Sequence, residues 1–236
     1  FRSLITGSSD NTVRIWDTTS GEANHVLQDR KRTVAGLSLS SDDTWIAAAS
    51  YKGRVAVWDL AGSVINAFQA ADGNLTNVVF APGNRQVLAS AGLGAEIKIW
   101  ALPEGEEIAV LDAATAAVAK LRFLRRHQSL DSEHLVALTY EGHLYAWDTA
   151  TWAPQTHLEM EFDKARSLAF SAKEDRCAVL SPGRIRIYRF PEWDIIETMD
   201  VEANVLSSAA FSPAGTWLVV GAADGRLRFS ATGSDR

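Results

Sequence analysis

One short motif recurs along this chain at nearly constant spacing, and it constrains the fold more than any other feature of the sequence. In each copy apolar residues alternate with other residues, and an aromatic residue stands near the end. The aromatic residues of successive copies are 41 to 47 positions apart. A regular repeat of this length indicates one supersecondary unit that is stacked several times. The copies are Thr12–Asp17, Arg54–Asp59, Glu96–Ala101, His143–Asp148, Arg184–Arg189 and Arg226–Ser230.

Each repeat is predicted to contain four antiparallel strands. Alternation with a period of two indicates a strand with one buried face, so the motif itself is the third strand. A small apolar stretch precedes it as the second strand, and turns such as Lys52-Gly53 and Asp224-Gly225 are typical of a β-hairpin. A segment further upstream supplies the inner strand, and the segment after the aromatic residue supplies the outer one. The predicted repeats are 1–28, 29–70, 71–112, 113–159, 160–200 and 201–236.

This organisation resembles the blades of the WD-repeat β-propeller family, over essentially the whole chain. The motifs that carry the resemblance are Trp16-Asp17, Trp58-Asp59 and Trp147-Asp148, together with the turn aspartates Asp10 and Asp224. The resemblance implies an all-β propeller of four-stranded antiparallel blades. The family's Gly-His dipeptide, which stands just before the inner strand, is missing from that position in every repeat. We therefore expect the family's buried network of turn Asp, His, Ser or Thr and Trp not to form.

The first and last repeats are predicted to be incomplete, the first without an inner strand and the last without an outer one. A closed propeller completes its last sheet with a strand from the other terminus. The sequence also begins with Phe1 rather than with Met. We expect the chain to be a piece of a longer protein, and two interpretations stay open. The intact propeller has either seven blades, one of them outside these residues, or six with ragged terminal sheets.

Composition places the chain among globular proteins and limits the kinds of partner that we expect it to bind. It is 47% hydrophobic and 22% charged, which excludes a disordered chain or a coiled coil. No apolar run approaches the ~20 residues that a membrane helix needs. The single cysteine, Cys177, excludes an internal disulfide and favours a reducing, intracellular compartment. A net charge of −6 argues against a nucleic-acid partner.

The sequence offers no pattern that is typical of a metal, cofactor or nucleophile site, so we predict a protein that is not an enzyme. Two alternatives stay open. One is an enzyme with a site in the central channel, and the other is a regulatory sensor module of a larger multidomain protein. Polar residues of the predicted inner strands could serve the first alternative; they are Asn74, Thr76, Asn77, Lys120, Lys164 and Arg166.

The predicted binding surface is one face of the propeller. It carries the loops that lead into the inner strands and the hairpin turns between the second and third strands, and their formal charges account for the whole net charge of −6. Such a field would steer and orient a protein or peptide partner with a basic segment. The resemblance also implies partner binding on this face. We therefore predict a non-catalytic interaction scaffold whose contact residues are Arg30, Lys31, Tyr51, Lys52, Asp72, Leu93, Glu141, Asp163, Asp200, Glu202 and Asp224.

Overall fold

The computed structural model describes residues 3–29, 32–112, 116–125, 133–159, 164–190, 192–202 and 206–232. In these residues all regular secondary structure is β-strand, and the strands form six antiparallel sheets. The predicted all-β fold of antiparallel β-propeller blades, six of which are represented in these residues, is confirmed. The chain divides into two compact units, Phe1–Phe123 and Leu124–Arg236.

The first unit contains the first three sheets. The first sheet has three strands, β1 (Ser3–Gly7), β2 (Val13–Asp17) and β3 (Ala23–Leu27). The second has four, β4 (Val34–Leu39), β5 (Trp45–Ser50), β6 (Arg54–Asp59) and β7 (Val64–Gln69). The third has β8 (Leu75–Ala81), β9 (Asn84–Gly92), β10 (Glu96–Ala101) and β11 (Glu106–Asp112). Among the residues that the structure describes, the first sheet has no inner strand, as the sequence predicts.

The fourth sheet begins with β12 (Val118–Leu124), the strand in which the chain divides, and continues with β13 (His134–Thr139), β14 (His143–Asp148) and β15 (Pro154–Glu159). The fifth sheet contains β16 (Ser167–Phe170), β17 (Arg176–Ser181), β18 (Arg184–Arg189) and β19 (Ile195–Asp200). The sixth contains β20 (Leu206–Phe211), β21 (Trp217–Ala222) and β22 (Leu227–Ala231), and within the described residues it has no outer strand, again as predicted.

The turns between second and third strands have the backbone conformation that their sequences predict. Asn11, Lys52 and Gly225 have φ angles of 74°, 67° and 80°, in the left-handed region. Turns with positive φ match the right-handed twist of the two strands that they join. These residues therefore determine where each hairpin reverses.

In each sheet that has an outer strand, the third strand contains a β-bulge at its recurring aromatic residue. The register with the outer strand shifts between Ile99 and Trp100 in the third sheet, and between Val57 and Trp58 in the second. The same shift occurs at Trp16, Trp147 and Tyr188. A bulge bends the strand locally and redirects a side chain. The recurring aromatic residue thus coincides with a recurring irregularity of the sheet.

The aromatic residues at these bulges pack between neighbouring sheets. Trp58, which is 3% exposed, lies in an apolar cluster with Val13 and Ile15 of the first sheet. Trp100, which is 5% exposed, packs with Val55 and Val57 of the second sheet. Each buried side chain of this size contributes roughly 1.5–3 kcal/mol to folding. Packing between consecutive sheets is therefore a main source of stability in the first unit.

The prediction that the family's buried polar network does not form is wrong in part. The indole Nε1–H of Trp16 donates a 2.8 Å hydrogen bond to Oγ1 of Thr6. The indole of Trp100 makes the same bond, also 2.8 Å, to Oγ of Ser90. A buried indole N–H needs an acceptor, and a second-strand hydroxyl supplies it without help from histidine. The Trp–hydroxyl half of the network is therefore present in the first and third repeats without the Gly-His dipeptide.

Cys177, the single cysteine of the chain, is buried in the fifth sheet. Within the residues that the structure describes, there is no helix with the length and apolar character that a membrane crossing needs.

Replacing Trp58 with Ala is expected to destabilise the protein by about 3–5 kcal/mol, because the change removes buried aromatic surface and leaves a cavity between two sheets. Urea-induced unfolding followed by circular dichroism measures this loss. Trp217→Ala is the matched control, since that side chain is 48% exposed and its removal should shift the unfolding midpoint far less. Equal shifts for the two variants would contradict the assigned packing.

Candidate functional site

The turns between second and third strands lie at the same strand ends as the segments that lead into the next inner strands. This follows from the antiparallel order of each sheet. We call the surface formed by these loops the hairpin face, and we describe it separately for each unit. In the first unit it includes residues 8–12, 51–53, 70–74 and 93–95. In the second unit it includes residues 140–142, 182–183, 200–202 and 223–226.

Four of the predicted contact residues lie on the hairpin face of the first unit. Tyr51 and Leu93 occupy hairpin turns, and their exposed fractions are 45% and 53%. Lys52 follows Tyr51 in the same turn, and Asp72 is exposed in the loop between β7 and β8. The structure therefore presents two large apolar side chains and two charged ones on the loops where the sequence predicts a binding surface.

Asn74 joins two of these hairpins. Its side-chain Oδ1 accepts a 2.9 Å hydrogen bond from the backbone N–H of Lys52. Its backbone carbonyl accepts a 3.0 Å bond from the N–H of Leu93. The Tyr51 turn and the Leu93 turn are thus held by one residue of the loop that carries Asp72.

Four further predicted residues lie on the hairpin face of the second unit. The carboxylate of Asp200 pairs with Arg184 at 2.8 Å, and both groups are largely exposed. The carboxylate of Asp224 accepts a 3.0 Å bond from the backbone N–H of Arg226, and the Glu202 carbonyl accepts one from Arg228. Glu141 is exposed in the turn between β13 and β14. Asp200 and Asp224 are therefore partly engaged within the chain.

Three of the predicted contact residues, Arg30, Lys31 and Asp163, lie outside the described residues. Asp29, which precedes Arg30 in the chain, is described, and its carboxylate forms an ion pair with Arg54. Arg32 donates a 3.4 Å hydrogen bond to the Lys52 carbonyl. The contribution of this basic segment to partner binding stays a prediction.

The turn residue Asp10 has more partners than the sequence indicates. Its carboxylate accepts hydrogen bonds from the Thr12 hydroxyl at 2.6 Å and from the Thr12 N–H at 3.0 Å, and it pairs with Arg14 at 2.8 Å. The Thr12 hydroxyl is the main cause that lowers the pKa of Asp10 below its ordinary value of 3.8, with smaller contributions from the Thr12 N–H and from Arg14. Asp10 therefore stays ionised in mild acid and holds its turn there.

The polar residues considered for an enzyme site serve other purposes in the first unit. The side-chain amide of Asn77 donates to the carbonyls of Val118 and Ala119, and the Thr76 hydroxyl bonds to Val118 as well. Burial lowers the pKa of the Lys120 ammonium. These contacts hold β8 beside β12.

In the second unit, Arg166 lies over the ring of Tyr140, with its guanidinium carbon 5.7 Å from the ring centre. Lys164 is exposed. Among the described residues no group of three or more His, Cys, Asp and Glu side chains is arranged to hold a metal ion.

A groove that the sequence did not predict opens in the first unit between the second and third sheets. We call it the Trp100 groove, after the residue at its base, and its volume is about 730 Å³. One wall is the loop Gln69–Leu75, and the other contains Gly94–Glu96, Lys98 and Glu107. The sequence signal that could have revealed it is the small size of Ala70, Ala71 and Gly73. At the corresponding positions the first repeat has larger, charged residues, which are Asp29, Arg30 and Arg32.

The second unit has a comparable groove between its fifth and sixth sheets, with a volume of about 710 Å³. We call it the Phe229 groove. Its apolar lining includes Met199, Val201 and Phe229, and its charged lining includes Asp200 and Glu202. Phe229 is 66% exposed on β22. Two of the predicted acidic residues thus border an apolar surface.

Comparison with known proteins finds similarity to WD repeats in three segments of the chain. The family model described as "WD domain, G-beta repeat" matches residues 2–17, 21–59 and 196–229. Autophagy-related protein 16 of Arabidopsis thaliana is 23% identical over 95% of this chain and 44% of its own length. Nuclear distribution protein nudF of Aspergillus niger is 26% identical over 64% of this chain and 34% of its own length. Target of rapamycin complex subunit LST8 of Saccharomyces cerevisiae is 28% identical over 41% of this chain and 32% of its own length.

The chain spans less than half the length of these curated relatives. The resemblance to WD-repeat proteins that the tryptophan motifs indicate is confirmed.

Replacing Thr12 with Val is expected to raise the pKa of Asp10 towards its ordinary value of 3.8, because the variant loses the hydroxyl that contributes most to the shift. The sign follows from linkage. A lowered folded-state pKa stabilises the turn above pH 3.8, and this stabilisation is lost as the pH falls through the folded-state value. An NMR titration of the side-chain carboxyl carbons in acid measures the pKa.

Asp17 is the internal control for this titration. Its pKa is lowered mainly by the backbone N–H groups of Ser20 and Thr19, so it should titrate equally in both proteins. An unchanged Asp10 titration in the Val variant would contradict the assigned role of the Thr12 hydroxyl.

Proposed function

We propose that this chain, whose repeats are similar to WD-repeat blades, is a non-catalytic scaffold that docks a protein or peptide partner with a basic segment on its hairpin face. The observation that carries the proposal is the joining of two hairpin turns by Asn74. It leaves Tyr51 and Leu93 exposed on either side of a loop that bears Asp72. Large apolar side chains on a preorganised surface are the usual anchors of a protein interface.

Rigidity is the first support for this proposal. A loop that must order on binding loses conformational entropy, and this loss weakens the complex. Here the backbone N–H of Ala70 and that of Ala71 both bond to the Gly53 carbonyl, at 2.7 and 3.0 Å. The loop that carries Asp72 is thereby tied to the Tyr51 turn before any partner arrives. Less entropy is then lost on docking.

Charge is the second support. The acidic residues Asp72, Glu141, Glu202 and Asp224 lie on the hairpin faces of the two units. Clustered charges of one sign raise the association rate of an oppositely charged partner and orient it on approach. A basic segment is therefore the partner chemistry that these loops favour.

The relatives' names are compatible with such a role. The LST8 protein of Saccharomyces cerevisiae is named as a subunit of a complex. The single, buried cysteine, Cys177, is compatible with the reducing, intracellular compartment that the sequence predicts. The partner, the compartment and the docking face of this chain are our proposals.

Reversing the charge of Asp200 and Glu202 together, by Asp200→Lys and Glu202→Lys, is expected to slow the association of a basic peptide about tenfold at low salt. The peptide is one selected from a random library against the unmodified protein. The association rate of the variant should also depend less on salt, because less attraction remains to be screened. Stopped-flow fluorescence of the labelled peptide measures both quantities.

The matched control makes the same change of charge away from the hairpin face. Glu104 and Glu192 are exposed in turns between third and outer strands, at the opposite strand ends. Glu104→Lys with Glu192→Lys should leave most of the association rate intact. Equal rates in the two double variants would overturn the proposed docking face, and a selection without basic peptides would overturn the proposed partner chemistry.

A further inference from the structure

The Trp100 groove has a counterpart between the first and second sheets, at equivalent positions of the repeat. There Asp29 and Arg54 form an ion pair whose side chains are 20% and 13% exposed. Arg54 also donates a 3.0 Å hydrogen bond to the Ala67 carbonyl. The space left between these two sheets has a volume of only about 10 Å³. The first copy of the site is therefore filled by the chain's own side chains.

The second copy is open because its residues are different. Ala70 stands where the first copy has Asp29, and Glu96 stands where it has Arg54. Gly73 likewise takes the place of Arg32. The ion pair that closes the first copy cannot form, and the open volume is about 730 Å³. The second and third sheets both have four strands, so the groove lies between two complete blades.

Acidic groups dominate the lining of the groove. Asp72, Glu96 and Glu107 border it, against a single cation, Lys98. The Lys98 ammonium lies 2.9 Å from a Glu107 oxygen and 3.9 Å from a Glu96 oxygen. Both carboxylates thus converge on one point, and among the described lining residues one ammonium faces these two carboxylates and Asp72. The excess negative charge favours a cationic group from outside.

The base of the groove is apolar. Trp100 and Leu75 are 5% and 2% exposed, and Ala70 is 2% exposed. The Trp100 indole is fixed by its bond to Ser90, and the Phe68 ring lies 4.9 Å from it. An apolar base below converging carboxylates matches a side chain with a methylene stem and a charged head.

We propose that the Trp100 groove binds an arginine side chain from an extended segment of a partner protein. The guanidinium fork reaches two carboxylates at once, which the compact ammonium of a lysine does less well. The stem would lie against Trp100 and Ala70, and the head between Glu96 and Glu107. This inference rests on the proposed function and names a chemical determinant of the partner.

The test uses a blocked peptide, acetyl-Gly-Ala-Arg-Ala-Gly-amide, titrated into the ¹⁵N-labelled chain and followed by NMR. Saturable shifts are expected at Asp72, Gly94 and the Trp100 indole N–H. The double variant Glu96→Gln with Glu107→Gln is expected to weaken binding about tenfold, because the guanidinium loses both of its charged acceptors. The same peptide with citrulline in place of arginine, which keeps the shape and removes the charge, should not bind.

The matched control is Glu106→Gln. Glu106 neighbours Glu107 on β11 but does not line the groove, so the variant should bind the peptide as the unmodified chain does. Lys98→Met should bind it more tightly, since the competing cation is gone. A second variant, Ala70→Asp with Glu96→Arg, rebuilds the ion pair of the filled copy and should abolish binding. Melting temperatures of all variants show that they fold.

Several results would overturn this inference. They are the absence of saturable shifts at millimolar peptide, equal binding of the citrulline peptide, and equal weakening by Glu106→Gln. A further result separates it from the proposed function. A basic partner that loses affinity when Asp200 and Glu202 are reversed, but is indifferent to changes at Glu96 and Glu107, would exclude the groove and leave the docking proposal intact.

Discussion

Packing of an aromatic residue between one sheet and the next is the interaction on which the rest of this structure depends. A sheet of three or four strands is marginally stable until its apolar faces are covered. In the first unit Trp58 and Trp100 provide this cover, at 3% and 5% exposure, and each stands at a β-bulge. In the second unit Tyr188, which is 5% exposed, packs with Val136 and Leu138 of the fourth sheet in the same way.

This packing also places the loops, and here stability leads to function. When two consecutive sheets are held together, the turn of one comes to rest beside the loop that leads to the other. Asn74 can therefore bond to the Lys52 turn and to the Leu93 turn at once. The result is a surface whose shape exists before a partner binds, which is what an interaction scaffold requires.

Because the sheets repeat, the residues at one site can differ from those at the equivalent site of another repeat while the strands keep the same arrangement. Between the first and second sheets, Asp29 and Arg54 fill the space that the repeat leaves. Between the second and third sheets, Ala70 and Glu96 leave the same space open, and the surrounding strands keep their register. A few substitutions at equivalent positions thus separate a structural contact from a groove with an acidic wall.

The sequence by itself determined the repeat, the strand order and the hairpin turns, because alternation and turn chemistry are short-range properties that are visible in neighbouring residues. It was wrong about the tryptophan contacts, since the missing dipeptide gave no sign that the Thr6 and Ser90 hydroxyls are within reach of Trp16 and Trp100. The Trp100 groove was decided only by the tertiary structure. It depends on side chains that are distant in the chain, and their sizes and charges combine only after the sheets have packed.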